Sequence, residues 1–296
     1  MSRRIPFVKM QSVGNDFVLV EECHLRRDPL PLLARRLCDR RSGVGGDGLL
    51  VVGRSKKADF RSRMFNPDGT EDHCGNGLRC AVKHWVERHS RAAVDEGLVW
   101  VRVEHLHGVS EARAKLRKEA RARLPRRRCA GRITIGMGTP TFDPRKIPVA
   151  SERELLDAPV LIAGRKLRIS CVSTGTAHTV IFVKKSPLGA PVPEVSRLIE
   201  TAPLFPERTS VLWTYVRSRS RLELGIWERG VGETLGCGTG ACAAAAIAAR
   251  LGLTGRKVAV DSKGGRLVVE IADTGEVLLN GEAVEVFSGV WVSGAN

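Results

Sequence analysis

The sequence predicts an α/β (α+β) fold made of two pseudo-symmetric domains, each with mixed and antiparallel strands around a central helix. A Cys-Gly-x-Gly motif opens a predicted helix at residues 74–80, and the same motif opens another at residues 237–242. Residues 14–18 correspond to residues 175–180 at nearly the same offset. Two features repeated at one offset indicate two halves of similar fold. The length of 296 residues agrees with two domains of about 150 residues each.

The elements of the first half follow from hydrophobic periodicity and turn residues. Strands are predicted at residues 5–22 (broken at 14–16), 49–52, 59–65, 98–103 and 132–137, and helices at residues 31–40 and 76–89. The basic segment between the strands at 98–103 and 132–137 is predicted to be helical.

The second half begins after a proline-rich linker at residues 139–159. Its predicted elements are a hairpin at 160–169, a strand at 172–183, a helix at 192–201, strands at 211–216 and 222–227, a helix at 239–251, and antiparallel strands to the end with a turn at 273–275. We therefore expect an N-terminal domain at residues 1–138, onto which about residues 277–296 pack back, and a C-terminal domain at residues 139–276.

The net charge of +16 raises the question of a nucleic-acid partner. Half of that charge lies in residues 111–132, which hold ten Lys and Arg but two Glu. No aromatic residue interleaves with this tract to form a base-stacking surface. The tract therefore favours a solvated helix, and a nucleic-acid-binding protein built on a retired enzyme scaffold is the alternative from another class.

The cysteines and the apolar runs indicate a cytoplasmic protein with reduced thiols. The apolar run at residues 241–249 is too short for a membrane span, and the N-terminus lacks a signal-peptide pattern. Six of the eight cysteines are predicted to be small buried residues of the core: Cys23, Cys38, Cys80, Cys129, Cys171 and Cys242. A structural metal site at the cysteines is a weaker alternative, and we expect no metal.

Cys74 and Cys237 each stand immediately before a predicted helix. The partial positive charge and unpaired N–H groups of a helix N-terminus predict a lowered thiol pKa and an adjacent site for an anion such as a carboxylate. Two such sites facing each other would place one thiol on either side of the carbon next to a bound carboxylate. One thiolate would then remove a proton and the opposite thiol would deliver one, which inverts the carbon.

At these residues the sequence resembles the diaminopimelate epimerase family over nearly the whole chain. The resemblance rests on residues 9–18, on residues 65–77, and above all on the run Trp-Glu-Arg-Gly-Val-Gly-Glu-Thr at 227–234, which leads into 237–242. It implies a cofactor-free isomerase that interconverts LL- and meso-diaminopimelate for lysine and peptidoglycan synthesis. It also implies an active site in the cleft between the two domains and a homodimer.

The resemblance assigns roles position by position. It makes Cys74 and Cys237 the two acid/base groups and places His178 and Glu228 near the reacting amino group. It implies substrate binding by Asn15, Asn66, Gly75, Asn76, Arg229, Gly238 and Thr239. The backbone at the two helix starts would hold the reacting carboxylate, and Arg229 would grip the distal carboxylate with two hydrogen bonds.

Three substrate-binding positions depart from the family pattern. The family has an amide side chain at the position of Gly48, and Asn at or near the positions of Thr176 and Ser210. A buried amide donates and accepts hydrogen bonds at once, which Thr or Ser cannot reproduce. A racemase of another amino acid, such as histidine, lysine or ornithine, with the same two-cysteine mechanism is therefore the alternative to diaminopimelate.

Overall fold

The computed structural model describes residues 3–26, 28–89, 97–116 and 130–293. The chain divides into two compact units, Met1–Ile135 with Gly281–Asn296, and Gly136–Asn280. We refer to them as unit 1 and unit 2. No helix among the described residues is long and apolar enough to cross a membrane.

The elements follow one another in chain order. The first half contains β1 (Arg3–Ser12), β2 (Asn15–Glu21), α1 (Leu30–Cys38), β3 (Gly48–Gly53), β4 (Phe60–Phe65), β5 (Glu71–Asp72), α2 (Gly75–Arg88), β6 (Leu98–His105), β7 (Gly108–Leu116) and β8 (Ala130–Gly136). The second half contains β9 (Ala158–Ile162), β10 (Arg165–Ser173), β11 (Ala177–Val183), α3 (Val195–Glu200), β12 (Ser210–Ser218), β13 (Arg221–Glu228), β14 (Gly232–Thr234), α4 (Gly238–Arg250), β15 (Lys257–Ser262), β16 (Gly265–Ile271) and β17 (Val277–Glu282). The last strand, β18 (Val284–Ser293), pairs antiparallel with β1.

Strand pairing follows the same series in both units. In unit 1, β1–β2 is antiparallel, β2–β3 parallel, β3–β4 antiparallel, β4–β6 parallel and β6–β7 antiparallel. In unit 2, β10–β11 is antiparallel, β11–β12 parallel, β12–β13 antiparallel, β13–β15 parallel and β15–β16 antiparallel. The internal repeat and the mixed α/β class predicted from the sequence are confirmed.

Each unit packs its strands around one long helix. Helix α2 contacts β1, β2, β3, β4, β6 and β7, and α4 contacts the corresponding strands β10, β11, β12, β13, β15 and β16. Alanine, the strongest helix former, supplies most of α4, and its small side chains allow burial on nearly every side. These two central helices are the ones that begin after Cys74 and Cys237.

The helical prediction for the basic tract is wrong where the structure describes it. Residues 111–116 belong to β7, which pairs with β6 and β8. Ala112 and Ala114 are buried while Arg113 and Lys115 point outward. This period of two is the strand pattern, and the concentration of positive charge obscured it. Residues 130–132 open β8, and residues 117–129 lie outside the described residues.

The remaining cysteines mostly pack in the core as predicted. Cys38, Cys80, Cys171 and Cys242 are buried. Cys23 is exposed, so its prediction as a core residue is wrong: it lies in a short 3-10 helix after β2 that buries none of its residues. Cys129 lies outside the described residues.

Candidate active site

Both motif cysteines occupy the N-cap position of a central helix with the same backbone conformation. Cys74 has φ −134° and ψ 118°, and Cys237 has φ −130° and ψ 118°. Helices α2 and α4 begin at the next residue, so each cysteine lies beside the first N–H groups of its helix. The internal repeat therefore includes the backbone conformation of the two motif cysteines.

The second glycine of each motif lets the helix approach the sheet closely. A Cβ at Gly77 would lie 2.9 Å from Leu50 Cδ2 on β3, and one at Gly240 would lie 3.0 Å from Leu212 Cδ2 on β12. The two leucines lie on corresponding strands of the repeat. Each of these glycines therefore has a packing role in addition to the anion-binding role inferred from the sequence.

In unit 1 the thiol of Cys74 is held by an oriented amide. Cys74 Sγ donates to Asn15 Oδ1 at 3.6 Å, and Asn15 Nδ2 donates to Asp47 Oδ2 at 2.8 Å. Asp47 thereby fixes the Asn15 carboxamide with its oxygen towards the thiol. The structure thus brings the predicted site residues Cys74 and Asn15 into contact.

A charged network around Asp16 and Asp47 supports this arrangement. Arg40 pairs with Asp16 at 2.6 Å and with Asp47 at 2.7 Å, and Lys9 pairs with Asp16 at 2.6 Å. Burial favours a raised pKa for Asp16, but the hydrogen bonds from Arg40 and Lys9 outweigh it and hold that pKa well below its usual range. Asp16 is therefore ionised at neutral pH and anchors both cations.

The other predicted site residues of unit 1 have local partners. Asn76 is buried, and its side-chain oxygen accepts a hydrogen bond from the fully buried Arg79. Asn66 bonds within its own turn, where Nδ2 donates to Thr70 Oγ1 at 3.0 Å and to Asp72 Oδ2 at 3.3 Å. Asn66 thus contacts Asp72, which precedes Cys74 by two positions.

In unit 2 a chain of hydroxyl groups links a histidine to the thiol. Thr239 Oγ1 lies 3.3 Å from Cys237 Sγ, and Thr176 Oγ1 donates to Thr239 Oγ1 at 3.4 Å. His178 Nε2 lies 3.0 Å from Thr176 Oγ1. The backbone N–H of Gly240 also donates to Cys237 Sγ at 3.4 Å. The fold therefore brings His178, Thr176, Thr239 and Cys237 into one hydrogen-bonded series.

The predicted lowering of the thiol pKa is wrong for Cys237. Burial raises the pKa of this thiol well above its usual value, and the neighbouring Glu228 carboxylate raises it further. These effects outweigh the hydrogen bonds from Thr239 and Gly240 at the helix start. Cys237 is consequently a neutral thiol at neutral pH.

His178 is also neutral. Burial, reinforced by the charge of Arg229, lowers the pKa of His178 to about 3. Its Nδ1 atom has no hydrogen-bond partner among the described residues. The neutral imidazole can therefore share a hydrogen bond with the Thr176 hydroxyl without carrying a charge.

The turn between β13 and β14 positions Glu228 and Arg229. Thr234 Oγ1 donates to Glu228 Oε1 at 2.6 Å. The Arg229 backbone N–H donates to Ser210 Oγ at 3.1 Å, and its guanidinium NH1 donates to the Glu207 carbonyl at 3.1 Å. Ser210 is paired in register with His178, so the turn lies near the hydroxyl chain.

The three departures from the family pattern fit their surroundings. A Cβ at Gly48 would lie 2.7 Å from Met64 Cε and 3.1 Å from the Phe65 carbonyl oxygen, so a side chain there would have to displace Met64. Thr176 links His178 to Thr239, and the Ser210 hydroxyl accepts from the Arg229 backbone N–H in the turn between β13 and β14. The two hydroxyls thus have structural roles at positions where the family has amides.

One buried carboxylate that the sequence analysis missed fixes the same turn. Glu200, at the end of α3, is 5% exposed. It accepts hydrogen bonds from Trp227 Nε1 at 2.7 Å and from the Gly230 backbone N–H at 2.8 Å. No sequence motif connects α3 to this turn, so only the fold shows the contact.

A group of imidazoles beside Cys74 was also missed. The ring centroid of His73 lies 4.4 Å from that of His105 and 5.3 Å from that of His107. Burial, together with the two neighbouring rings, lowers the pKa of His73 to about 4. His105 lines a small pocket together with Asp72, His73 and Cys74. The signal in the sequence is a histidine directly before the motif cysteine.

Solved structures of other proteins define the fold class. A hydroxyproline epimerase from Agrobacterium vitis matches with a TM-score of 0.68 and 15% identity, covering 98% of this chain and 91% of that one. A phenazine biosynthesis protein of the PhzF family from Bacillus anthracis matches with a TM-score of 0.66 and 17% identity, covering 97% and 99%. The chain thus has the fold of these epimerase and phenazine-biosynthesis proteins.

Sequence comparison then identifies the family. A profile described as diaminopimelate epimerase matches residues 7–115 and 170–286. The diaminopimelate epimerase of Moorella thermoacetica is 43% identical over 96% of this chain and 98% of its own length, and that of Pelotomaculum thermopropionicum is 40% identical over 96% and 97%. The chain belongs to the diaminopimelate epimerase family, which confirms the resemblance inferred from the motifs.

Proposed function

We propose that this protein is a cofactor-independent epimerase that interconverts LL- and meso-diaminopimelate, a step of lysine and peptidoglycan synthesis. The observation that carries the proposal is the pair of cysteines with matching N-cap geometry at the central helix of each repeat. Its support from comparison is the name that the full-length relatives share.

In the proposed mechanism both thiols act on one α-carbon. The Cys74 thiolate removes the α-proton, and the electron pair of the C–H bond moves into the adjacent carboxylate. The N–H groups at the helix starts, at Gly75–Asn76 and Gly238–Thr239, stabilise the charge that develops there. Cys237, kept protonated by burial and by Glu228, delivers its proton to the opposite face. The reverse reaction exchanges the two roles.

The surrounding groups suit this division of labour. The hydroxyls of Thr239 and Thr176 connect Cys237 to the neutral His178, and this hydrogen-bonded series can stabilise the thiolate that remains after Cys237 has delivered its proton. Glu228 carries the negative charge expected beside a substrate ammonium group. Arg229 already donates one hydrogen bond to Glu207, but a guanidinium has five N–H donors and keeps capacity for the distal carboxylate. We propose Asn15 and Asn66 as further substrate contacts.

A racemase of histidine, lysine or ornithine is the second candidate. The observation that favours it is the set of altered positions, where Gly48 has no side chain and the hydroxyl residues Thr176 and Ser210 stand at or near positions where the resemblance implies Asn. A site built for particular hydrogen bonds discriminates strongly between substrates. The thiol mechanism would be the same.

The deciding experiment is exchange of the α-proton in deuterated water, followed by NMR with a thiol reductant present. LL-diaminopimelate would be offered beside a panel of L-amino acids. Exchange with diaminopimelate alone supports the first candidate, and exchange with another amino acid supports the second. Cys74→Ala and Cys237→Ala should each abolish exchange, whereas Cys23→Ala should retain it. Full exchange in either motif variant would refute the two-thiol mechanism.

We also propose a homodimer located in the cytoplasm. Strand β18 exposes several apolar side chains, Val286, Phe287, Val290 and Val292, each about half exposed in the single chain. Exposed apolar side chains are common at interfaces, and a second copy of the chain is the partner we propose. Sedimentation of the wild type and of Phe287→Glu would test this, with dissociation expected for the variant. No disulfide joins any of the seven described cysteines, and reduced cysteines are typical of the cytoplasm.

A further inference from the structure

A carboxylate and two imidazoles converge in unit 1 at the end of α2 opposite to Cys74. Glu21 Oε1 lies 2.9 Å from His84 Nε2 and 3.0 Å from His89 Nε2. One ligand atom from each of the three residues lies within 4.8 Å of the others, and this is the one such group of His, Cys, Asp or Glu found among the described residues. Among the described residues, the cysteine pairs Cys74 and Cys80 and Cys237 and Cys242 form no comparable cluster.

The fold holds these three groups in place. Glu21 ends β2, His84 lies on α2, and His89 follows the last residue of that helix. The His89 ring stacks on Trp85 at 4.6 Å. Trp85 itself stacks on Phe60 of β4 at 4.9 Å. The exposed imidazole is therefore oriented by its own helix.

His84 supplies the second observation that points to a ligand. Its side chain is 2% exposed, and its Nδ1 atom has no hydrogen-bond partner among the described residues. Among the described residues, the ring is therefore hydrogen-bonded through Nε2 alone, and this atom faces Glu21. The second oxygen of Glu21 accepts from the thiol of Cys23 at 3.8 Å, which leaves Oε1 to the imidazoles. Glu21, His84 and Arg88 line one cavity. Arg88 is paired with Glu285 at 2.7 Å.

We infer that Glu21, His84 and His89 form a binding site for Zn²⁺. Imidazole nitrogen and carboxylate oxygen are ligands that zinc accepts together, with three protein ligands and one position left to solvent. Tetrahedral zinc with bonds of about 2.0–2.2 Å separates its ligand atoms by about 3.3–3.6 Å. The Glu21–His84 and Glu21–His89 pairs therefore need to open by about half an ångström, which small side-chain rotations supply.

The site would tie the end of β2 to the end of α2. Helix α2 has 14 residues, which span about 21 Å at about 1.5 Å per residue. Cys74 lies before its first residue and the zinc ligands lie at its last turn and just beyond. Bound zinc would fix the orientation of the central helix of unit 1 and would not contact the thiol.

The test compares zinc bound by four forms of the full-length protein: wild type, His89→Ala, Glu21→Gln and the control His107→Ala. Each is stripped of metal, dialysed against buffered zinc with a non-thiol reductant, and assayed for zinc per chain. Zinc held by cysteine thiols is common to all four forms and cancels in the differences. His107 is exposed, and its loss removes one imidazole without touching the site.

We expect one equivalent fewer in His89→Ala and in Glu21→Gln than in the wild type and His107→Ala. The melting temperature should rise with zinc in the wild type and His107→Ala, by several degrees more than in the two site variants. His89 is exposed, so its variant is expected to fold, which circular dichroism without metal would verify. Equal zinc content and equal thermal shifts in all four forms would overturn the proposal.

Discussion

Glu200 Oε1 accepts a hydrogen bond from the backbone N–H of Gly230 at 2.8 Å, across 30 residues of sequence. The other carboxylate oxygen accepts from Trp227 Nε1, so the two bonds bracket Glu228 and Arg229. A group that makes no proposed contact with substrate therefore sets the position of two residues that do.

Removing this carboxylate should disturb the turn more than it disturbs the fold. We expect Glu200→Ala to lower kcat/KM at least tenfold and to reduce the free energy of unfolding by about 1–3 kcal/mol, because the N–H groups of Trp227 and Gly230 lose a buried, charged acceptor. Glu200→Gln keeps one carbonyl acceptor and should be intermediate. The measurements are steady-state epimerisation with kcat and KM separated, and urea unfolding.

Glu207→Gln is the matched control for this prediction. The Glu207 side chain is exposed, and Arg229 contacts only its backbone carbonyl. The same chemical change there should leave both kinetics and stability close to wild type. Equal effects at 200 and 207 would argue against a positioning role for Glu200.

The hydroxyl of Thr176 should be needed even though the family has an amide there. Thr176→Val preserves shape but breaks the series between His178 and Cys237, and we expect a fall in kcat of tenfold or more with a smaller change in KM. Thr176→Ser keeps the hydroxyl and should retain most of the activity. If valine and serine at this position performed alike, the hydroxyl series would have no part in catalysis.

The sequence predicted the parts of the site that are encoded locally. The helix starts at Gly75 and Gly238 follow from short motifs, and the repeat of those motifs predicted the repeated strand order. The properties that depend on distant residues were missed. Burial raises the pKa of Cys237 and outweighs the lowering effect of the helix N-terminus. The hydrogen bond between Glu200 and Gly230 has no signature in the sequence of either segment. At residues 111–116 the concentration of positive charge obscures the alternating burial of Ala112 and Ala114, which marks a strand.

Neutralising Glu228 should make Cys237 more reactive towards an alkylating reagent. Glu228 raises the pKa of that thiol, so Glu228→Gln lowers it and increases the thiolate fraction at a given pH. We expect severalfold faster modification of Cys237 by iodoacetamide at pH 8, measured by mass spectrometry of the peptide that contains it. The buried Cys242 in the same helix is the internal reference and should stay unmodified. An unchanged or slower rate at Cys237 would contradict the assigned effect of Glu228.

The burial of neutral His178 should make the protein less stable in mild acid. The pKa of His178 is about 3 in the folded protein, and about 6.5 is expected in the unfolded chain. Between these values the unfolded state binds one proton more, so stability is present above about pH 6.5 and declines as the pH falls towards 3. This one group should reduce the free energy of unfolding by about 2 kcal/mol between pH 7 and pH 5.

Urea unfolding at the two pH values would measure that loss in the wild type, in His178→Gln and in the control His24→Gln. The His178 variant loses a titrating group that is buried, and the control loses one that is exposed. We expect the difference between pH 7 and pH 5 to shrink by about 2 kcal/mol in His178→Gln only. The comparison holds even if His178→Gln is less stable at both pH values, because it is the slope with pH that reports the buried imidazole. An identical slope in all three proteins would mean that His178 titrates normally in the folded state.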